Sequence, residues 1–159
     1  MITAFIGIGS NQGDARAQVL QAFDELGRIP ETRLSGRSPL YRSAPLDAPG
    51  QPDFVNAVAG VDTDLSAAQL LAALQDIERR HGRERPYANA PRSLDLDLLL
   101  YGEAALSSAM LTLPHPRMHE RAFVLRPLLE LDPQAEVPGR GRARELLARC
   151  AAQRVERID

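Results

Sequence analysis

Tryptophan is absent from this sequence, and three tyrosines and four phenylalanines bring the aromatic share to only 4%. An RNA-binding sheet needs exposed aromatic residues and a basic face, and neither is in evidence. Nineteen Lys and Arg stand against 21 Asp and Glu, a net charge of −2 with no basic block. No nucleic acid partner is therefore expected. The single cysteine, Cys150, excludes an internal disulfide and a cysteine-built metal site, and reads as an inert helical position. No apolar run approaches the roughly 20 residues of a membrane-spanning helix. The opening MITAFIGIGSN lacks the basic segment and longer apolar stretch of a secretory signal, so the cytoplasm is the expected location. The early glycine-rich GIGSNQGD lacks the Gly-Lys-Ser/Thr ending of a Walker A loop, which excludes ordinary P-loop chemistry.

What remains is an ordinary globular composition, 44% hydrophobic and 25% charged over 159 residues. A chain of that length supports one domain, 1–159, with a real hydrophobic core. Alternation around Ile6 and Ile8 predicts an opening strand. Asp14 caps a helix whose apolar stripe is Val19, Leu20, Phe23 and Leu26, and Gly27 and Pro30 end it. A second strand is predicted over Arg33 to Ser43. A Pro- and Gly-rich loop follows from Ala44 to Pro52, and then a buried strand through Phe54, Val58 and Val61. Ser66 and Gln69 have the spacing of a capping box, ahead of Leu70, Leu71, Leu74 and Ile77 at helical intervals. A loop from His81 to Ser93 leads into RSLDLDLLLYG. Beyond it come a short strand near Leu111 to Leu113, a helix from Met118 to Leu125 stopped by Pro127, and a last helix from about Ala143 to Gln153. The order β-α-β-β-α-β predicts an α+β, ferredoxin-like fold: a mainly antiparallel sheet flanked by helices in three α-β-α layers.

RSLDLDLLLYG carries the chemistry. Strand side chains alternate, so Leu94, Leu96, Leu98 and Leu100 are expected on one face and Asp95 and Asp97 on the other. Positions two apart on a strand lie about 6.5–7 Å from each other. Their carboxylates can converge on two cations about 4 Å apart. A strand with one solvated face gives the same alternation, but aspartate is a poor strand former, and three arginines (Arg83, Arg85 and Arg92) stand just upstream. Carboxylates for Mg²⁺ beside guanidinium groups for phosphates suit phosphoryl-type transfer. Glu78 reads equally as a surface partner of a neighbouring arginine. His115 and His119 lack a third zinc ligand, and His115 between two prolines reads as an ordered donor, with Arg121 as a companion cation. Phe54 and Phe123 fit a core or a flat ligand. Other Mg²⁺-dependent nucleotidyl or glycosyl transferases also use Asp-x-Asp, and their products distinguish them.

Five segments together, GIGSNQGD, YRSAPL with QPDFVNAV, IERRHGRER, PRSLDLDLLLYG and LPHPRMHERAFVLRPLLELDP, resemble the 6-hydroxymethyl-7,8-dihydropterin pyrophosphokinase family in order from Ile6 to Pro133. That resemblance implies transfer of the β,γ-pyrophosphate of ATP to 6-hydroxymethyl-7,8-dihydropterin in folate biosynthesis, with release of AMP. It implies small-molecule partners only, no membrane, and a monomer. By the same resemblance, Asp95 and Asp97 hold two Mg²⁺ ions, and Arg83 and Arg92 join them as catalytic residues. Gln75, Glu78, Arg85, Arg92, Thr112, His115 and Arg121 serve ATP. Ser43, Leu46, Phe54, Asn56, Asp95 and Phe123 serve the pterin, with the two phenylalanines sandwiching it. The chain departs from many relatives at Ala88-Asn89-Ala90, where they carry Arg-Trp-Gly, and at Met110, where they are often basic.

Overall fold

A computed structural model describes residues 1–45, 50–82 and 94–159. In chain order its elements are β1 (Ile2–Ser10), α1 (Ala15–Leu26), β2 (Thr32–Arg37), β3 (Tyr41–Ser43), β4 (Phe54–Thr63), α2 (Ala67–Gly82) and β5 (Asp95–Tyr101). There follow β6 (Leu106–Ser107), β7 (Thr112–Leu113), a 3₁₀ turn (Met118–Glu120), α3 (Ala122–Leu131), β8 (Glu136–Val137), β9 (Gly141–Arg142), α4 (Ala143–Ala148) and β10 (Val155–Arg157).

The main sheet runs β10-β3-β4-β1-β5, with β2 paired to another part of β4. Every pairing in it is antiparallel. Because β2 and β3 share one side of β4, the first seven elements follow the β-α-β-β-α-β order, and the fold is ferredoxin-like. On one face Ile6, Ile8, Leu96 and Leu98 pack against Val19, Phe23 and Leu26 of α1 and Leu70, Leu74 and Ile77 of α2. On the other, Val58, Leu99 and Leu100 meet Val124, Leu125 and Leu128 of α3 and Leu146 of α4. Each such side chain contributes about 1.5–3 kcal/mol when fully buried, so the two faces clamp β1 and β5 from both sides. Among the described residues no helix is long and apolar enough to cross a membrane.

The local signals act as their chemistry predicts at both long helices. The Asp14 carboxylate accepts from Ala17 N at 3.1 Å. Ser66 and Gln69 form a reciprocal capping box, with Gln69 N to Ser66 Oγ at 3.1 Å and Ser66 N to Gln69 Oε1 at 2.9 Å.

Four expectations are corrected. The strand predicted from Arg33 to Ser43 is broken into β2 and β3. Pro39 has no N–H for the ladder, and Ser38 supplies a substitute, its N–H donating to Val58 O and its Oγ accepting from Val58 N. Leu100 does not share the face of Leu96 and Leu98. The β1–β5 register shifts between Phe5 and Ile6, which face Leu100 and Leu98, so Leu99 is inserted as a bulge and Leu100 turns to the α3 side. Pro127 does not stop a helix begun at Met118: α3 starts at Ala122 and passes through Pro127 to Leu131. A mid-helix proline costs about 3 kcal/mol. Burial of Val124, Leu125 and Leu128 at about 1.5–3 kcal/mol each outweighs it. Finally, the last helix covers six residues. Arg149 and Cys150 close it with bonds to the carbonyls three residues back, and the chain then adds β10 to β3.

Candidate active site

The site is built where the central strand β1 is bare. Gly9 faces Asn56 of β4 on one side and Asp95 of β5 on the other, while Gly7 faces Val58 and Asp97. Two side-chain-free positions between two functional strands make the floor of a cavity of about 460 Å³. A Cβ at Gly9 would lie 3.2 Å from Asn56 Nδ2 and 3.8 Å from the Phe54 ring. Only glycine therefore leaves that space open for a ligand.

Phe54 and Asn56, two apart on β4, point into the cavity from one wall, and Ser43 of β3 joins them. Asn56 is only 4% exposed. Its Oδ1 accepts from the Ser43 hydroxyl at 2.6 Å. That bond turns Nδ2 toward Gly9, and among the described residues Nδ2 meets no acceptor. A buried amide donor left unpaired costs roughly 1–3 kcal/mol, which a ligand acceptor in the cavity would offset. Gln51 also lines this wall, held by Asn11, whose Nδ2 donates to Gln51 Oε1 at 3.3 Å and to Pro52 O at 3.2 Å. Phe123, at the start of α3, faces the same space, with the Arg121 guanidinium 5.6 Å from its ring centroid.

Asp95 and Asp97 project from β5 into the cavity as the alternation predicts. Glu78 fixes the strand that carries them. β5 is the sheet edge, and its Leu96 N–H donates to Glu78 Oε2 at 2.8 Å. Beside Asp97 stands His115, whose backbone N–H donates to Leu99 O and whose Nδ1 accepts from Arg117 N at 3.1 Å. Nε2 therefore carries the proton of the neutral ring, and it lies 4.0 Å from Asp97 Oδ1. Burial holds the His115 pKa below its ordinary value. Asp97 opposes that shift, while Arg121 and Arg117 reinforce it. At neutral pH the imidazole is uncharged, so it does not neutralise Asp97, a side chain 44% exposed to solvent.

Asp97 and His115 also line a second cavity of about 230 Å³. Its other walls are largely apolar, from Leu71, Leu96, Leu98 and Leu111, with Ser108 and Thr112 supplying hydroxyls and Met110 lining it as well, 79% exposed. The two cavities thus meet at one carboxylate–imidazole pair. His119 is turned away, 3.4 Å from Glu120. Among the described residues no three His, Cys, Asp or Glu side chains cluster to hold a metal ion.

The structure brings Ser43, Phe54, Asn56, Asp95, Asp97, His115, Arg121 and Phe123 together around the first cavity and places Thr112 on the second. Gln75 is exposed on α2, outside both cavities, and Glu78 supports β5 from behind. Leu46, Arg83, Arg85, Arg92 and the Ala88-Asn89-Ala90 departure lie outside the described residues. Gly7, Gly9 and Gln51 were not anticipated as site residues. The Gly-x-Gly spacing at 7 and 9, on one face of a predicted strand, is the signal that marks the two glycines, and Gln51 has none of that kind.

These features give two adjoining cavities, one walled by aromatic rings and a buried amide and one largely apolar, that share Asp97 and His115. The family model described as 7,8-dihydro-6-hydroxymethylpterin-pyrophosphokinase (HPPK) matches residues 5–133, and the chain belongs to this family. A Pseudomonas aeruginosa protein named 2-amino-4-hydroxy-6-hydroxymethyldihydropteridine pyrophosphokinase is 47% identical over 154 residues, covering 97% of this chain and 95% of its own length. A Haemophilus influenzae protein of the same name is 39% identical over 159 residues, covering 100% and 99%. Among solved structures, wild-type Plasmodium falciparum HPPK-DHPS aligns with a TM-score of 0.71 at 13% identity over 95% of this chain. An HPPK-DHPS described as in complex with substrates aligns with a TM-score of 0.74 at 11% identity. At those identities the likeness concerns the fold alone. The chain spans 41% and 43% of those longer chains.

Proposed function

We propose that this chain transfers the β,γ-pyrophosphate of ATP to the hydroxymethyl group of 6-hydroxymethyl-7,8-dihydropterin. The hydroxymethyl oxygen forms a bond to Pβ, the bond from Pβ to the α,β-bridging oxygen breaks, AMP leaves, and the hydroxyl proton is released. The observation that carries this reading is the shared boundary: Asp97 and His115 line both cavities, so ligands bound in each would meet at that pair.

Phe54 and Phe123 supply aromatic faces for the pterin, Gly9 the room beneath it, and the buried Asn56 Nδ2 a donor for its polar edge. Leu46 is assigned to the pterin by family resemblance alone. The 230 Å³ cavity, with Thr112 and its leucines, suits the nucleoside end of ATP. Arg121 and the Nε2–H of His115 are donors for phosphate oxygens, and Arg83, Arg85 and Arg92 are assigned with them. Gln75 and Glu78 are assigned to the nucleotide side. Asp95 and Asp97 are oxygen donors of the kind Mg²⁺ takes, with substrate phosphates completing its coordination. Two such ions, when bound, would neutralise the triphosphate and polarise Pβ. This chain's own residues would hold the two substrates side by side, and positioning together with charge stabilisation is where most of the catalysis of such transfers resides.

Incubation of the purified protein with ATP and Mg²⁺, with and without the pterin, tests the reading by chromatography of the nucleotides. AMP that forms only with the pterin supports it, and ADP as the product refutes it.

A further inference from the structure

We propose that Gln153, a residue that touches neither cavity, positions Arg121 and Phe123 for the reaction. The proposal rests on the pyrophosphoryl-transfer reading above.

The link between the 3₁₀ turn and α3 is a single residue, Arg121, with extended backbone at φ −120° and ψ 108°. No side chain within that segment caps α3. The cap comes from the far end of the chain. Gln153 Oε1 accepts from Ala122 N at 3.0 Å, and its Nε2 donates to Glu120 O at 2.7 Å. One amide therefore holds the peptide groups on both sides of Arg121. Ala122 N is among the helix N-terminal donors that have no partner within the helix, so Gln153 satisfies a group that would otherwise need water. The segment that carries Gln153 is itself fixed at both ends. Gln153 N donates to Cys150 O behind it, and ahead of it Val155 pairs with Ser43 in the β10–β3 ladder.

Ser43 lies on one wall of the first cavity, and Arg121 and Phe123 lie on another. Residues 153–155 thus brace the two walls against each other from outside. The guanidinium of Arg121 and the ring of Phe123 branch from the backbone that Gln153 grips, so a shift of that backbone moves both groups relative to Asn56 and Asp97. Residue 153 lies beyond the segment matched by the family model.

Gln153→Met keeps the length of the side chain and removes both hydrogen bonds. Amide hydrogen exchange reads the clamp directly: Ala122 is protected in the parent and exchanges faster in the variant. Unprotected Ala122 in the parent overturns the proposal. Steady-state kinetics read the consequence. For Gln153→Met, kcat/KM is expected to fall about tenfold, the scale of a small misplacement of a reacting group, both for the pterin, which Phe123 would face, and for ATP, whose phosphates Arg121 would meet. In an Arg121→Ala background the same change is expected to add less than its full factor, because the part that acts through Arg121 is already lost and only the part through Phe123 remains. A lowered melting temperature with kcat/KM within about twofold of the parent makes Gln153 a merely structural residue, and full multiplication of the two losses does the same. Gln153→Glu, which retains the acceptor for Ala122 N and loses the donor to Glu120 O, serves as the second variant. It is expected to fall between the parent and Gln153→Met. A parent protein that makes no pterin-dependent AMP overturns the functional reading itself, and a fully active parent with an unaffected Gln153→Met overturns this proposal alone.

Discussion

Nε2 of His115 lies 4.0 Å from Oδ1 of Asp97, and among the described residues this pair is what the two cavities share. Because Nδ1 is occupied by the Arg117 N–H, the proton of the neutral ring faces the carboxylate.

In the metal-free protein His115 titrates below the ordinary value of 6.5, with burial the leading cause. Between the folded and unfolded values the unfolded chain holds the extra proton, so stability falls as pH drops below about 6.5 and the loss is complete below the folded pKa. His115→Gln is expected to melt with a smaller difference between about pH 7.5 and about pH 5.5 than the parent. Proton NMR titration of the His115 ring reads the pKa itself. Asp97→Asn should lower it further, since Asp97 is the group that raises it, and an upward shift in that variant contradicts the assignment.

Asp95→Ala and Asp97→Ala are each expected to leave a folded protein whose turnover is reduced about 100-fold or more, the scale on which loss of a group stabilising transition-state charge acts. Circular dichroism and steady-state rates check this together. Near-parental turnover in either variant removes the carboxylate pair from the mechanism.

Gly9→Ala places a methyl group 3.2 Å from Asn56 Nδ2 and against Phe54. Pterin affinity should fall about tenfold, equal to 1.4 kcal/mol, with ATP affinity unchanged. Phe54→Ala should act in the same direction by removing a stacking face worth about 0.5–1.5 kcal/mol beyond its area. Titration calorimetry with each substrate separates these effects, and an equal loss for ATP would place the flat ligand elsewhere.

Glu78→Ala deletes the acceptor for the edge N–H of Leu96. A hydrogen bond to a charged group contributes about 1.5–3 kcal/mol, so urea unfolding should show a loss of that order. Kinetics should worsen as well, because the N–H concerned lies between the two aspartates.

Much of this was legible in the sequence for a physical reason: period-two alternation fixes faces locally. It placed Asp95 and Asp97 together, and the Asp14 and Ser66 caps needed only neighbours within three residues. The features that were missed depend on distant partners. The bulge at Leu99 arises from the β1 register, so Leu100 could not be assigned to its face from β5 alone. The role of Ser38 as a ladder substitute requires Val58. Pro127 reads locally as a stop, and burial of its neighbours against the sheet overrides it. Gly9 acquires meaning only once Asn56 and Asp95 stand on either side. Gln153 is an ordinary polar residue until folding carries it to the start of α3.

Phosphorus NMR of the protein with ATP, Mg²⁺ and 6-hydroxymethyl-7,8-dihydropterin tests pyrophosphoryl transfer most directly, since it reports where each phosphorus goes. The expected result is replacement of the three ATP signals by AMP and by two mutually coupled signals of a pterin diphosphate, with no free pyrophosphate and no change when the pterin is omitted. ADP, free pyrophosphate, or unaltered ATP from a folded sample would contradict it.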